Sequence, residues 1–272
     1  MTAVLLMLGD SLIDSGNVSR ASDGLVFGEQ IALAMGGDLA DQQLFPMENP
    51  PVPSDAQLHN YAHGGAESSR SPRMDGERGV VSIGFRAQGK AVQRQADFYR
   101  QTKDVDLLVC AGANDVLSML EEGEALAAVL ETPDRSDDRR LERSTARSIT
   151  RNLRRGLDGL TGLVDETLIF GAFPLTSTPF VQDRVEALDP TSADRLLMLV
   201  EGVGRRVQQR LERVYATNPS VAVIDLSQSW ASVPEPSFVD EVHPSSATSA
   251  ELASVVLNDV TGELSSFGFD VA

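Results

Sequence analysis

Ser11 lies in Gly9-Asp10-Ser11-Leu12, directly after the apolar run Val4-Leu5-Leu6-Met7-Leu8. A serine hydroxyl is a weak nucleophile near neutral pH and needs an adjacent base to take its proton. The chain offers His59, His63 and His243 for that task. An imidazole can accept the serine proton and return it to a leaving alcohol. Only His243 has a carboxylate three residues earlier on the same loop, Asp240 in Asp240-Glu241-Val242-His243-Pro244. Such a carboxylate can bond the second ring nitrogen, fix the tautomer and stabilise the imidazolium. In isolation His243 would read as a surface loop histidine.

Acyl transfer to a serine also requires hydrogen-bond donors where the oxyanion develops. Three are available: the Ser11 backbone N–H, the Gly65 N–H, which no side chain obstructs, and the Asn114 amide. Plain structural readings stand beside these. Gly64-Gly65 can simply make a tight turn, and Asn114 can cap the helix that follows it. Asp10 and Asp14 read as braces of the Ser11 loop rather than acids. His59 and His63 read as satisfied structural histidines.

These residues must be held by the ends of regular elements. Short apolar runs at 4–8, 58–62, 106–111, 168–173 and 221–226 predict strands. Between them, apolar residues at three- and four-residue spacing predict helices over 26–35, 87–101, 145–164, 193–215 and 247–260. That alternation is the signature of βαβ units and a parallel sheet. Ligands of open parallel sheets bind beyond the carboxyl ends of the strands. Ser11, Gly65 and Asn114 all follow predicted strands there, and the Asp240–His243 loop follows the last one.

The 272 residues, 42% hydrophobic, suffice for one domain with a large core, and no linker or internal repeat divides them. Forty acidic against twenty-three basic residues give a net charge of -17. That charge repels nucleic acid and anionic membrane surfaces, and favours neutral or cationic small molecules. The stretch 121–155 mixes charges of both signs and reads as a solvated insertion, with a mobile lid as the sharper alternative.

The single Cys110, inside Leu107-Leu108-Val109-Cys110-Ala111, reads as a buried strand thiol. No metal-ligand spacing and no glycine-rich phosphate fingerprint is present, so no metal and no cofactor are expected. The N-terminus reads as a first strand rather than a leader or a membrane span. A cytoplasmic location is expected, with secretion after trimming of a signal as the alternative. The oligomeric state is open.

Four blocks together resemble the GDSL or SGNH hydrolases. Gly9-Asp10-Ser11-Leu12, with Asp14 and Gly16-Asn17, is similar to that family's nucleophile motif. Asn60-Tyr61-Ala62-His63-Gly64-Gly65-Ala66, Gly112-Ala113-Asn114-Asp115 and Asp240-Glu241-Val242-His243-Pro244 are similar to its later blocks, in the same order. The segment Gly171-Ala172-Phe173-Pro174-Leu175 and the long spacings are similar to the larger plant-lipase, hemolysin and autotransporter-esterase members. Leu8 and Val239 depart from residues frequent in the family.

The resemblance implies a three-layer α/β/α sandwich of about five parallel strands in flavodoxin-like order. It implies a Ser11–His243–Asp240 triad, an oxyanion hole from Ser11, Gly65 and Asn114, and an acyl-enzyme on Ser11. The second glycine is chosen over Gly64 by aligning the family's block. The substrate class implied is a small-molecule or lipid ester. Few aromatic residues, 5% with the single Trp230, disfavour a sugar-stacking groove, and a short acyl chain is expected. Acyl transfer on the same triad and a non-catalytic binding protein of the same fold are the alternatives. The α/β-hydrolase alternative fails, because no Gly-x-Ser-x-Gly elbow carries Ser11.

Overall fold

In the computed structural model, which describes residues 3–18, 21–45, 52–69, 73–74, 81–131, 134–171 and 173–264, the first apolar run forms strand β1 (Val4–Gly9). Leu6, Met7 and Leu8 are fully buried, so both faces of the strand are covered, as its unbroken apolar composition requires. Then come α1 (Phe27–Ala34), β2 (Gln42–Leu44), β3 (Leu58–Asn60), β4 (Arg73–Met74), β5 (Val81–Ser82), α2 (Phe85–Arg94) and α3 (Ala96–Tyr99). The chain continues with β6 (Val105–Cys110), α4 (Ala113–Glu121), α5 (Glu124–Glu131), α6 (Ser136–Leu157), β7 (Glu166–Phe170) and α7 (Pro179–Glu186). It ends with α8 (Pro190–Tyr215), β8 (Val221–Ile224), α9 (Leu226–Trp230) and α10 (Ser246–Leu264).

Six strands make one parallel sheet in the order β2-β3-β1-β6-β7-β8, and β4 and β5 pair antiparallel outside it. Leaving out β2, the order is that of a flavodoxin-like sheet. The expected count of about five strands is therefore corrected to six. β2 has three half-buried residues on the sheet edge, Gln42, Gln43 and Leu44, so no apolar run marks it in the sequence.

On one face, α2, α6 and α8 pack side by side; on the other, α1 and α9 flank α10. The rings of Phe27 on α1 and Phe170 on β7 meet edge to face at 5.0 Å. Two helices depart most from their expected bounds. The one expected over 87–101 breaks at Gln95 into α2 and α3, and the one over 145–164 runs instead from Ser136 to Leu157. Of the expected strand 168–173, Ala172 lies outside the described residues.

The charged stretch 121–155 is occupied by α5 and most of α6. Ala146, Ile149, Leu153 and Leu157, three or four residues apart, are buried, so only the outer face of α6 is solvated. Two inward carboxylates are paired with α8: Asp138 with Arg195 at 2.7 Å, and Glu142 with Arg206. Arg195 also donates to the carbonyls of Ala128 and Val129 near the end of α5, at 3.2 and 2.7 Å. One guanidinium thus ties three helices, satisfying carbonyls that the end of α5 leaves open.

Candidate active site

β1 stops at Gly9, whose φ of +155° lies where L side chains are rare. A Cβ there would fall 1.8 Å from the Cys110 carbonyl oxygen, so the close approach of β1 to β6 requires glycine. The backbone then turns tightly, with the N–H groups of Ile13 and Asp14 both donating to the Asp10 carbonyl at 3.2 and 3.0 Å. Ser11 stands at this turn and is largely buried. Its Oγ lies 2.9 Å from His243 Nε2, joining residues 232 positions apart in the chain.

His243 Nδ1 lies 2.7 Å from Asp240 Oδ2. The other oxygen of Asp240 accepts the N–H groups of Val242 and His243 at 2.8 and 2.7 Å. Partial burial opposes the charge of Asp240. The bonds from the His243 N–H and imidazole and from the Val242 N–H outweigh it and hold the carboxyl below its ordinary range. The loop itself is closed by backbone bonds from Val239 N–H to the His243 carbonyl and from Ser245 N–H to the Ser237 carbonyl, both 2.9 Å. It docks on the start of α7, where Phe180 N–H donates to the Glu241 carbonyl at 2.8 Å. Asp23, beyond the nucleophile loop, accepts Ser246 N–H at 2.7 Å and so joins that loop to the start of α10.

The second block supplies the facing wall. Asp14 is fully buried and accepts four backbone N–H groups, from Gly16, Asn17, Val18 and Gly64, at 2.8, 2.6, 3.1 and 2.7 Å. The Gly64 N–H is therefore occupied. Among the described residues the N–H groups of Gly65 and Ser11 make no hydrogen bond, and Gly65 has a φ of +75°. Asn114 uses one amide hydrogen on the Ala66 carbonyl at 3.1 Å, and its second remains available. The N-cap of α4 is Gly112, so Asn114 sits inside the first turn and is not the cap.

Behind Ser11 the electrostatics are set by burial. It pushes the Asp10 carboxyl up from 3.8 to about 7, against a hydrogen bond from Leu12 N–H at 3.2 Å and with the help of nearby Asp115. The Asp115 carboxyl is raised to about 6 by burial, although Ser68 donates to it from both N–H and Oγ at 2.7 and 2.6 Å. Cys110 is buried as expected, and burial raises its thiol well above the usual range. His59 and His63 take no part in the Ser11–His243–Asp240 chain of hydrogen bonds. His59 Nδ1 bonds the Tyr99 hydroxyl at 2.9 Å, and burial lowers the pKa of both histidines.

Two further residues position the site. Asn60 donates to the Ile13 carbonyl and Ser15 Oγ at 2.7 and 2.8 Å, linking β3 to the nucleophile loop. Gln88 on α2 bonds Gly9. The sequence held a signal for it, because Phe85, Gln88, Gly89 and Val92 share the buried stripe of α2 and an amide there must find partners. Among the described residues, no group of three or more His, Cys, Asp or Glu could hold a metal ion, and no helix is long and apolar enough to cross a membrane.

A doubly wound parallel sheet carrying serine, histidine and aspartate in hydrogen-bond contact at its carboxyl edge is the framework of a hydrolase. The chain belongs to the GDSL-like lipase/acylhydrolase family, whose sequence model matches residues 5–256, and it is an enzyme acting on ester bonds. No curated protein matches the sequence. Among solved structures, the lipase Lip_vut3 from a goat rumen metagenome is 15% identical, covers 99% of this chain over 98% of its own, and has a TM-score of 0.54. A phospholipase A1 from Streptomyces albidoflavus NA297 is 13% identical over 95% of this chain and 99% of its own, with a TM-score of 0.49. A catalytic mutant of the acetylxylan esterase Axe2 from Geobacillus stearothermophilus is 14% identical over 100% and 98%, also with a TM-score of 0.49. At 15% identity, the likeness to the rumen lipase speaks for the fold alone.

Proposed function

We propose that the protein hydrolyses small-molecule carboxylic esters through an acyl-enzyme on Ser11. The observation that carries this reading is the continuous chain Ser11 Oγ, His243 Nε2, His243 Nδ1, Asp240 Oδ2, with contacts of 2.9 and 2.7 Å. Asp240 accepts a hydrogen bond from Nδ1–H and so leaves the Nε2 lone pair facing the serine hydroxyl. As Ser11 Oγ attacks the ester carbonyl, its proton passes to Nε2, and the carbonyl oxygen becomes an oxyanion. The N–H groups of Ser11 and Gly65 and the free amide hydrogen of Asn114 are the donors for it. The imidazolium then gives its proton to the departing alkoxide. In the second half, water loses a proton to Nε2, attacks the acyl-enzyme, and the carboxylic acid and Ser11 hydroxyl are released.

The net charge of -17 favours neutral or cationic esters over anionic ones. The test is turnover of nitrophenyl esters from acetate to palmitate by the wild type and by Ser11→Ala. Turnover by the wild type that is lost in the variant, and highest for short chains, is the expected result. Equal inertness of both across the series would overturn the reading.

A further inference from the structure

The strongest connection not used by the triad is the side-chain amide of Gln88, fully buried on α2. Its Oε1 accepts the Gly9 N–H at 2.8 Å, while its Nε2 donates to the Gly9 carbonyl at 2.7 Å and to the Ile83 carbonyl at 3.1 Å. A planar amide whose oxygen and nitrogen both bond the same residue fixes that residue in rotation as well as in position. The same Gly9 carbonyl receives the His63 N–H at 3.0 Å. Gly9 stands two residues before Ser11, and His63 two residues before Gly65. The two backbone donors of the oxyanion hole therefore project from a single knot at Gly9, which the Gln88 side chain holds from α2.

We propose that Gln88 is a positioning residue that sets the separation of the Ser11 and Gly65 N–H groups. The inference rests on the proposed acyl-enzyme chemistry. Its action is confined to the oxyanion, because Gln88 makes no hydrogen bond to His243 or Asp240.

Gln88→Met keeps the length of the side chain and removes all three hydrogen bonds. Below its melting temperature, kcat for nitrophenyl acetate is expected to fall at least about tenfold, part of the loss that follows removal of a whole donor. KM should stay within twofold, and the pH midpoint of kcat/KM should match the wild type. The rate at which a nitrophenyl phosphonate labels Ser11 should drop in parallel, since its phosphoryl oxygen needs the same donors. Gln88→Glu, nearly isosteric, keeps the acceptor for Gly9 N–H, is held neutral by burial and loses its donor only where the carboxyl ionises, so if the methionine variant does not fold, the kcat of this variant relative to wild type should fall as the pH is raised through that ionisation. A folded methionine variant with kcat and labelling rate within twofold of wild type, or altered only in KM, overturns the proposal, as does a glutamate variant whose relative kcat does not fall through that ionisation. Failure of the wild type itself to be labelled or to turn over would instead count against the acyl-enzyme reading.

Discussion

The Asp14 carboxylate accepts the Gly64 N–H at 2.7 Å, and so the glycine pair divides its work: one N–H braces, the next stays free. Asp14 joins the nucleophile loop to the second block by filling every lone-pair direction with a backbone donor. Asp14→Asn keeps the shape but replaces one acceptor by a donor facing donors. The variant is expected to lose about 2 kcal/mol of stability in urea unfolding. At temperatures where it is folded, kcat should be about tenfold lower, because Gly65 is no longer held in register. Unchanged kcat in a destabilised protein would limit Asp14 to folding.

Asp240→Asn tests the other side of the site. An amide donor opposite Nδ1 favours the tautomer with its proton on Nε2, which cannot take one from Ser11. The expected loss in kcat is about a thousandfold or more with KM little changed. Steady-state kinetics on nitrophenyl acetate measures it, and a loss below tenfold would show that His243 needs no partner to be oriented.

The buried carboxyl of Asp10 gives a prediction in pH. Its pKa is raised to about 7 in the folded chain, above the value of 3.8 it has when exposed. Between about pH 4 and pH 7 the folded state holds a proton that the unfolded state has released, so stability falls as pH rises through that window. Asp10→Asn removes the ionisation. At pH 8 the variant should be more stable than the wild type by on the order of 2 kcal/mol, and at pH 4 the advantage should vanish. Paired urea melts at the two pH values decide it, and an advantage equal at both would exclude the buried charge as its cause.

Asp138 and Arg195 offer a stability test away from the chemistry. The carboxylate is buried and the guanidinium nearly so. Asp138→Ala strands a cation between α5, α6 and α8, and should cost about 3 kcal/mol. Activity at low temperature should remain within twofold of wild type. Calorimetry together with kcat separates the two effects.

The parts of the molecule legible in the sequence are those written in short range. The runs at 4–8 and 106–111 announce β1 and β6, because strands buried on both faces cannot carry polar residues. Ser11, Asp240 and His243 are singled out by residue type and a three-residue spacing only together with the resemblance, since in isolation His243 reads as a surface loop histidine. β2 is not, since an edge strand of Gln42, Gln43 and Leu44 has little to bury. The inner face of α6 is masked by charge, because Asp138 and Glu142 look solvated until Arg195 and Arg206 of α8 reach them from more than fifty residues away. The work of Gln88 is hidden for the same reason: its partner, Gly9, is 79 residues distant. The choice of Gly65 over Gly64 rested on resemblance, and the hydrogen bond from Gly64 to Asp14 supplies a physical reason for it.

The contact of Ser11 with His243 is assembled from opposite ends of the described fold, with Ser11 just after the first strand and His243 just before the last helix. On the ribosome Ser11 is therefore made more than two hundred residues before the histidine that faces it. Copies that stop short of His243 should be silent toward esters however well their sheet has formed. Ester turnover would then report that synthesis has passed His243 and that its loop has closed on the sheet.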